Sequence, residues 1–287
     1  MKAQPLFRML LPMAITCSIM LQGCSGSPPS DVAGGSGAGN PNGLAALSIV
    51  IDTTPNVLYK TVTADHAGVM GDSGRQNMGF ADSSGLMFTA ETALIIVKAI
   101  HFLVDSGQNP AQLVQASGLQ LQADSTGIIV EGPFIFDAFT GACAPGTDSL
   151  RLPEARYSGI QLDFQNEQHG LASGQAGNIH ITGLFVYQND TNSFVFNLSE
   201  NQAAAYFFDI DPVTVSRTKP ASMTLALHSG QWAGGIDIKT CLDNGYISLM
   251  GDGSLVIDST SGRGPCQPVE ASIRRNIILS GSLRKEM

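Results

Sequence analysis

The sequence predicts an all-β fold, an antiparallel β-sandwich of the prealbumin or immunoglobulin kind, with one or two sandwich units. Three observations carry this. Apolar residues alternate with polar ones at period two, as in Ile160, Leu162 and Phe164 set against Gln161, Asp163 and Gln165. Such a run buries one face and wets the other. Turn-forming clusters separate the runs, among them Gln188-Asn189-Asp190-Thr191-Asn192, Asp243-Asn244-Gly245 and Ser261-Gly262-Arg263-Gly264-Pro265. Charged residues are only 14% of the 287 and glycines number 32, a balance that suits a β-rich extracytoplasmic protein with many turns.

The first element in the chain stands apart from that fold. Lys2 and Arg8 precede an apolar stretch, Met9 to Leu21. At about thirteen residues it has the length of a signal-peptide core and falls short of the roughly 20 that span a bilayer. It closes on Leu21-Gln22-Gly23-Cys24. Leucine three places before the cysteine and glycine just before it resemble a bacterial lipoprotein signal. The resemblance implies that residues 1–23 are removed and that Cys24 becomes the lipidated first residue, so that membrane lipid is a partner through the acylated cysteine. Ser25 stands where inner-membrane lipoproteins carry aspartate, which implies the outer membrane. Each buried methylene of an acyl chain contributes roughly 0.8 kcal/mol, so several chains anchor stably. Residues 24–43 hold the lipidated cysteine and a linker rich in Gly, Ser, Pro and Asn. This composition predicts a flexible tether with a reach of about 20–30 Å.

Residues 44–287 form the β region, with room for a subdivision near 188–192. Strands are expected near 47–51, 57–63, 92–104, 127–137, 157–165, 178–187, 193–199, 205–215, 222–228, 246–249, 254–257 and 273–283. The apolar, β-branched run from Ala93 to Val104 reads as a strand buried on both faces. Two short helices are predicted. Asn109-Pro110 looks like a cap with proline in the first turn, and Asp237 caps a turn that ends at Asp243-Asn244-Gly245. No repeat of 20–50 residues appears, which excludes solenoids and propellers.

Charge excludes another class of partner. Without Lys2 and Arg8, 13 of the 15 Lys and Arg stand against 24 Asp and Glu, a net charge of −11. There is no basic stripe to displace counterions from nucleic acid. An anionic membrane would repel such a domain, so the lipid must hold it. Cys143, Cys241 and Cys266 remain for an oxidising compartment, and one of the three is left over. Cys241–Cys266 is the favoured pair, because the two flank one plausible strand pair and close a modest loop; Cys143–Cys266 and Cys143–Cys241 are the alternatives. No Cys-x-x-Cys spacing points to a metal.

The middle of the chain carries a resemblance. Ile95-Ile96-Val97-Lys98-Ala99-Ile100-His101-Phe102, Gly132-Pro133-Phe134-Ile135-Phe136-Asp137 with Thr140-Gly141, and Leu152-Pro153-Glu154-Ala155-Arg156-Tyr157-Ser158-Gly159-Ile160-Gln161-Leu162 are similar to segments of bacterial exported domains with a prealbumin-like sandwich. Glu154-Ala155 departs from the Ala-Gly that those domains more often show. Trp232 to Asp237 resembles a stretch of uncharacterised lipoproteins that precedes a final strand pair. The resemblance implies the sandwich and brings no catalytic residues.

Several residue sets have side chains suited to chemistry. Gly71-Asp72-Ser73-Gly74 looks like a serine-protease nucleophile motif, but His66 is the only histidine before it and Arg75 replaces a glycine. A polar turn is the simpler reading. His66, Met70, Met78 and Met87 offer the imidazole and thioether groups of a copper site. Their irregular spacing suits core-filling methionine equally well. The acidic loops at Asn189-Asp190 and Asp243-Asn244 lack calcium-loop spacing and read as turns. Trp232, the sole tryptophan, is either a platform for a sugar ring or a core anchor beside Ile236, the core being favoured. His180 reads as solvated. Glu91, Asp137, Asp163, Asp209, Asp211 and Asp237 form no pair that the sequence can place. The expected function is therefore a membrane-anchored lipoprotein with a non-enzymatic binding or structural role, its partner an envelope protein or glycan, with no cofactor. The alternatives are a carboxylate-dependent hydrolase of envelope polymers and a periplasmic copper-binding protein.

Overall fold

The computed structural model of the protein describes residues 42–52, 78–164 and 177–286, all within one unit that runs from Asn40 to Met287. Along the described chain come β1 (Asn42–Asp52), β2 (Met78–Ala81), β3 (Met87–Val104), α1 (Pro110–Ser117), β4 (Gln122–Ala123), β5 (Gly127–Asp137), β6 (Ala142–Ala144), β7 (Leu150–Pro153) and β8 (Ala155–Asp163). Then follow β9 (Ile179–Tyr187), β10 (Asp190–Leu198), β11 (Ala203–Phe207), β12 (Val213–Val215), β13 (Ala221–His228), α2 (Ile238–Asp243), β14 (Leu255–Ile257), α3 (Val269–Leu279) and β15 (Gly281–Glu286). The protein is mostly β, and its sheets are open, as the period-two pattern predicts.

The strands form two sheets. One has four strands in the order β15-β13-β1-β7; the other has 11, along the path β11-β8-β3-β9-β10-β14 with branches. Most pairs are antiparallel. β1 with β13 and β10 with β14 are parallel, a departure from the purely antiparallel expectation. Parallel neighbours need a long crossover, and the chain between each of these partners supplies it. The long β3 organises the larger sheet. Its first half has β2 on one edge and β9 on the other; its second half has β5 and β8. Being covered along both edges and on both faces, Ile95, Ile96, Val97, Ala99 and Ile100 are all buried.

A single core lies between the sheets. Leu47, Ile49 and Ile51 of β1, Met223, Leu225 and Leu227 of β13 and Leu283 of β15 belong to the same buried cluster as Phe88, Phe102, Tyr157, Phe194 and Phe196 of the large sheet. Removing this much aliphatic and aromatic surface from water is the main favourable contribution to folding. Residues 188–192, where a subdivision had room, make the β9–β10 turn and the start of β10. The two strands pair continuously from Asp190↔Tyr187 to Leu198↔Ile179, so the chain on both sides builds one sheet.

The two expected helices are present for the expected reasons. The Asn109 side chain accepts from the Gln112 N–H at 3.2 Å, and Gly118 closes α1 at φ 68. The Asp237 carboxylate accepts from the Thr240 N–H at 2.8 Å at the start of α2. Four expectations need correction. Residues 273–283 hold most of α3 and the first residues of β15, not one strand. Val269, Ile273 and Ile277 are buried at four-residue steps, and that helical period on one packed face overrides the strand preference of isoleucine. Residues 246–249 form no strand; the Tyr246 and Ile247 N–H groups both donate to the Cys241 carbonyl and so belong to the end of α2. The expected strand 205–215 breaks into β11 and β12 around residues 208–212, where Pro212 cannot donate to a ladder. β1 begins at Asn42, inside the stretch read as linker. The expected strand at 57–63 lies outside the described residues.

A buried ionic cluster ties α3 to the sheet. Arg274 Nη1 lies 2.6 Å from Glu200 Oε2, and Arg274 Nε lies 3.1 Å from Glu270 Oε1. Glu200 Oε1 also accepts from the Asn201 and Gln202 N–H groups, each at 2.8 Å. Burial alone would lower the Arg274 guanidinium, but the two carboxylates outweigh it and raise it above the ordinary arginine value.

Candidate functional site

A cleft of about 390 Å³ lies between the loop that leaves α2 and the loop that leaves β14. Tyr246, Ser248 and Met250 come from the first loop, and Asp258, Thr260 and Arg263 from the second. The Cys241–Cys266 disulfide, with its Cα atoms 5.9 Å apart, lies at the base of both loops. Arg263 N–H donates to the Tyr246 carbonyl at 3.1 Å, which closes the same end.

The second loop takes its shape from local turn chemistry. Asp258 Oδ1 accepts from the Thr260 N–H at 2.8 Å and from the Thr260 hydroxyl at 2.7 Å, and lies 3.0 Å from Ser261 Oγ. Burial alone would raise the Asp258 carboxyl, but the donors of Thr260 and Ser261 outweigh it and hold it below the ordinary carboxylate range. It is charged at neutral pH. Gly262 follows at φ 82, and a Cβ there would collide with the Cys266 carbonyl. The turn therefore needs glycine, both for the left-handed backbone and for the close approach.

The cleft thus combines a partly exposed aromatic ring, several hydroxyls, one carboxylate and one exposed guanidinium. Tyr246 is 36% exposed and Met250 53%. Such a surface offers a flat apolar platform with fixed donors and acceptors at its edge. Reduction of the disulfide is expected to weaken it. A link across 25 residues contributes roughly 3–4 kcal/mol in the chain-entropy model. Thermal unfolding with and without reductant should show that loss, and an unchanged midpoint would remove the disulfide from the account of the cleft.

The residues singled out in the sequence meet different fates. Cys241 and Cys266 are bonded to each other, and Cys143 is a free, half-buried thiol. Burial pushes the Cys143 thiol up to about 11, so it is protonated and poorly nucleophilic at neutral pH. Trp232 is 1% exposed and cannot be a ligand platform. It packs against Phe80 with ring centroids 5.5 Å apart, because the turn after β13 drives it into the core. Met78 and Met87 cannot share an ion. Met78 is buried with Phe80 and Ala90, whereas Met87 is 53% exposed on the outer face of the sheet above Gly79. Alternation along the β2–β3 pair sends the two sulfurs to opposite faces. Cys24, His66, Met70 and the Gly71–Gly74 motif lie outside the described residues. Among the described residues no group of three or more His, Cys, Asp or Glu is arranged to hold a metal ion.

The remaining polar candidates have structural tasks. Asp137 and Asp237 accept backbone N–H groups in turns. Asp243 binds Lys239 Nζ at 2.6 Å and the Tyr187 hydroxyl at 2.8 Å. His180, read as solvated, is buried, and its Nδ1 lies 2.6 Å from Asn197 Oδ1. Glu91, Asp163, Asp209 and Asp211 do not line the cleft, where Asp258 is the one carboxylate. Tyr246, Asp258 and Arg263 carry no functional motif in the sequence, where their segments have the pattern of short strands and a turn. The available signal was the disulfide itself, since a short loop pinned at both ends keeps its side chains in register.

No family model, curated protein or solved structure matches the chain.

Proposed function

We propose that this chain is an exported lipoprotein, held at the outer membrane by acyl chains on Cys24, whose β domain binds a glycan of the envelope in the cleft between Tyr246 and Arg263. The cleft is the observation that carries the reading. Its volume is within the range of small-ligand sites. A sugar presents an apolar C–H face to a tyrosine ring and hydroxyls to groups such as Ser248, Asp258, Thr260 and Arg263. A disulfide beside the cleft suits a domain that folds in an oxidising compartment, which residues 1–23 independently imply. The role is binding, with no cofactor, and the sandwich is of the prealbumin-like type that the resemblance implies. Among the described residues no helix is long and apolar enough to cross a membrane, and on this reading the lipid supplies the attachment.

The test has two parts. Cells that express the full chain are grown with labelled palmitate; wild type takes up label and Cys24→Ala does not. Binding of the purified chain to immobilised peptidoglycan fragments is then compared with that of Tyr246→Ala. Loss of the ring should weaken binding about tenfold, the equivalent of one stacking contact. Label on the Cys24→Ala protein would sink the anchor, and equal binding by both proteins would sink the cleft.

A further inference from the structure

We propose that Ser282, His228 and Asp52 form a second site, separate from the cleft, that transfers acyl groups from small esters. The three residues stand on adjacent strands of the four-stranded sheet. Asp52 ends β1, His228 ends β13 and Ser282 is the second residue of β15. The register sets Asp52 opposite His228, and Ser282 opposite Ala226, two residues before His228. Their neighbours Ile51, Leu227 and Leu283 are buried in the core. Alternation therefore turns Asp52, His228 and Ser282 onto the other face of the sheet.

On that face the groups follow the order hydroxyl, imidazole, carboxylate. His228 Nε2 lies 3.1 Å from Ser282 Oγ, and His228 Nδ1 lies 3.5 Å from Asp52 Oδ2. The His228 and Asp52 side chains are only 19% and 13% exposed, so water screens the contact weakly. A carboxylate beside Nδ1 favours the tautomer that carries its proton there. Nε2 is then left as an acceptor, aimed at the serine hydroxyl. The 3.5 Å separation is long for a hydrogen bond, but an electrostatic bias on the tautomer survives it, and catalytic contacts commonly tighten when substrate binds.

A sheet face rich in polar residues forms cross-strand pairs as a matter of course. The next part of the same face does so: Ser48 and Thr224 lie 3.0 Å apart through their hydroxyls, and the Thr224 hydroxyl donates to Glu286 at 2.6 Å. The His228 row differs in two respects. Each imidazole nitrogen has its own partner, of opposite chemical character. A cation also stands beside the row, since the exposed Arg284 side chain places Nη2 3.0 Å from Asp52 Oδ2. A guanidinium has five N–H donors, so one contact to Asp52 leaves others for an oxyanion. β15 is the outermost strand of its sheet, and a single bridge from Phe208 to Leu283 touches its far edge.

In the proposed reaction Ser282 Oγ attacks the ester carbonyl carbon while His228 Nε2 takes the hydroxyl proton. The carbonyl oxygen becomes an oxyanion near Arg284. Collapse breaks the carbon–oxygen bond to the alcohol, which leaves with the proton from His228. Water repeats the attack on the acyl-serine, its proton passing to His228 and then to Ser282 Oγ, and the acid departs. One ester and one water yield one acid and one alcohol. With the imidazole and carboxylate only slightly exposed, little room is left for a substrate, so short esters with a good leaving group suit the row best.

The test uses the full chain, a fluorophosphonate probe and p-nitrophenyl acetate. The probe should become attached to Ser282, as located by peptide mass spectrometry, and Ser282→Ala should take up none. Hydrolysis should fall by about 10²-fold or more in Ser282→Ala, in His228→Gln and in Asp52→Asn. Circular dichroism and melting temperature check that each variant is folded. The proposal is overturned if the wild-type serine is not labelled, or if folded Ser282→Ala hydrolyses the ester as fast as wild type. In either case the row is a polar ladder only. Should His228→Gln fail to fold, the labelling of Ser282 in wild type still decides the matter.

Discussion

Trp232→Ala will lower the free energy of unfolding by about 3–5 kcal/mol, the range for deleting a fully buried large aromatic side chain. The side chain is 1% exposed, and its neighbour Phe80 stacks on Phe88 with centroids 5.2 Å apart. Alanine would leave a hole beside rigid rings that cannot collapse into it. The indole Nε1 is buried and has no hydrogen-bond partner among the described residues. Trp232→Phe therefore removes ring volume together with an unsatisfied donor, two effects of opposite sign. Its loss should be about a third of that for alanine, roughly 1–2 kcal/mol. Urea unfolding followed by circular dichroism is the right measurement, because both variants lose the only tryptophan. A loss under about 1 kcal/mol for alanine would contradict the buried placement.

Arg274→Met should have an effect of similar size, by another mechanism. Glu200 and Glu270 have side chains only 9% and 10% exposed, and Arg274 is their counter-ion. Without it, two carboxylates are left together in a poorly solvated place, which costs about 3–5 kcal/mol. Arg217→Met is the matched control. Its partner Glu154 is at a comparable 3.0 Å, but both side chains are more than a third exposed, at 42% and 36%. That pair should contribute about 0–1 kcal/mol. Adding Glu200→Gln and Glu270→Gln to Arg274→Met should restore part of the loss, because the uncompensated charges disappear with their cause. Chemical unfolding of the four proteins checks this. If Arg274→Met and Arg217→Met unfold at the same urea concentration, burial has not made the first pair special.

Much of the fold was legible because it depends on neighbours in sequence. Strands such as β9, β10 and β13 announce themselves by period-two alternation, and burial follows the same beat at Ile181, Gly183 and Phe185, at Phe194, Phe196 and Leu198, and at Met223, Leu225 and Leu227. Asn109 before Pro110 and Asp237 before α2 are local caps, so their chemistry is complete within one helical turn. The errors have physical causes of the opposite kind. In residues 269–279 the isoleucines favour a strand by propensity, and only packing on β10 and β13 decides for the helix. The Met78–Met87 pair looked like a cluster because it is close in sequence, but a pleated strand separates neighbours to opposite faces.

The sequence by itself determined the β class, the acidic charge and the Leu21–Cys24 pattern, which rest on composition or on residues within a few positions of one another, and the Cys241–Cys266 preference, which rests on the modest length of the loop that the pair closes. Only the tertiary structure decided the parallel pairing of β1 with β13, the burial of Trp232, the cleft at Tyr246 and Arg263, and the alignment of Asp52 with His228 and Ser282. These join residues distant in the chain. Their proximity is set by which strand faces are apolar enough to share a core, a property of the whole set of strands that no single segment carries.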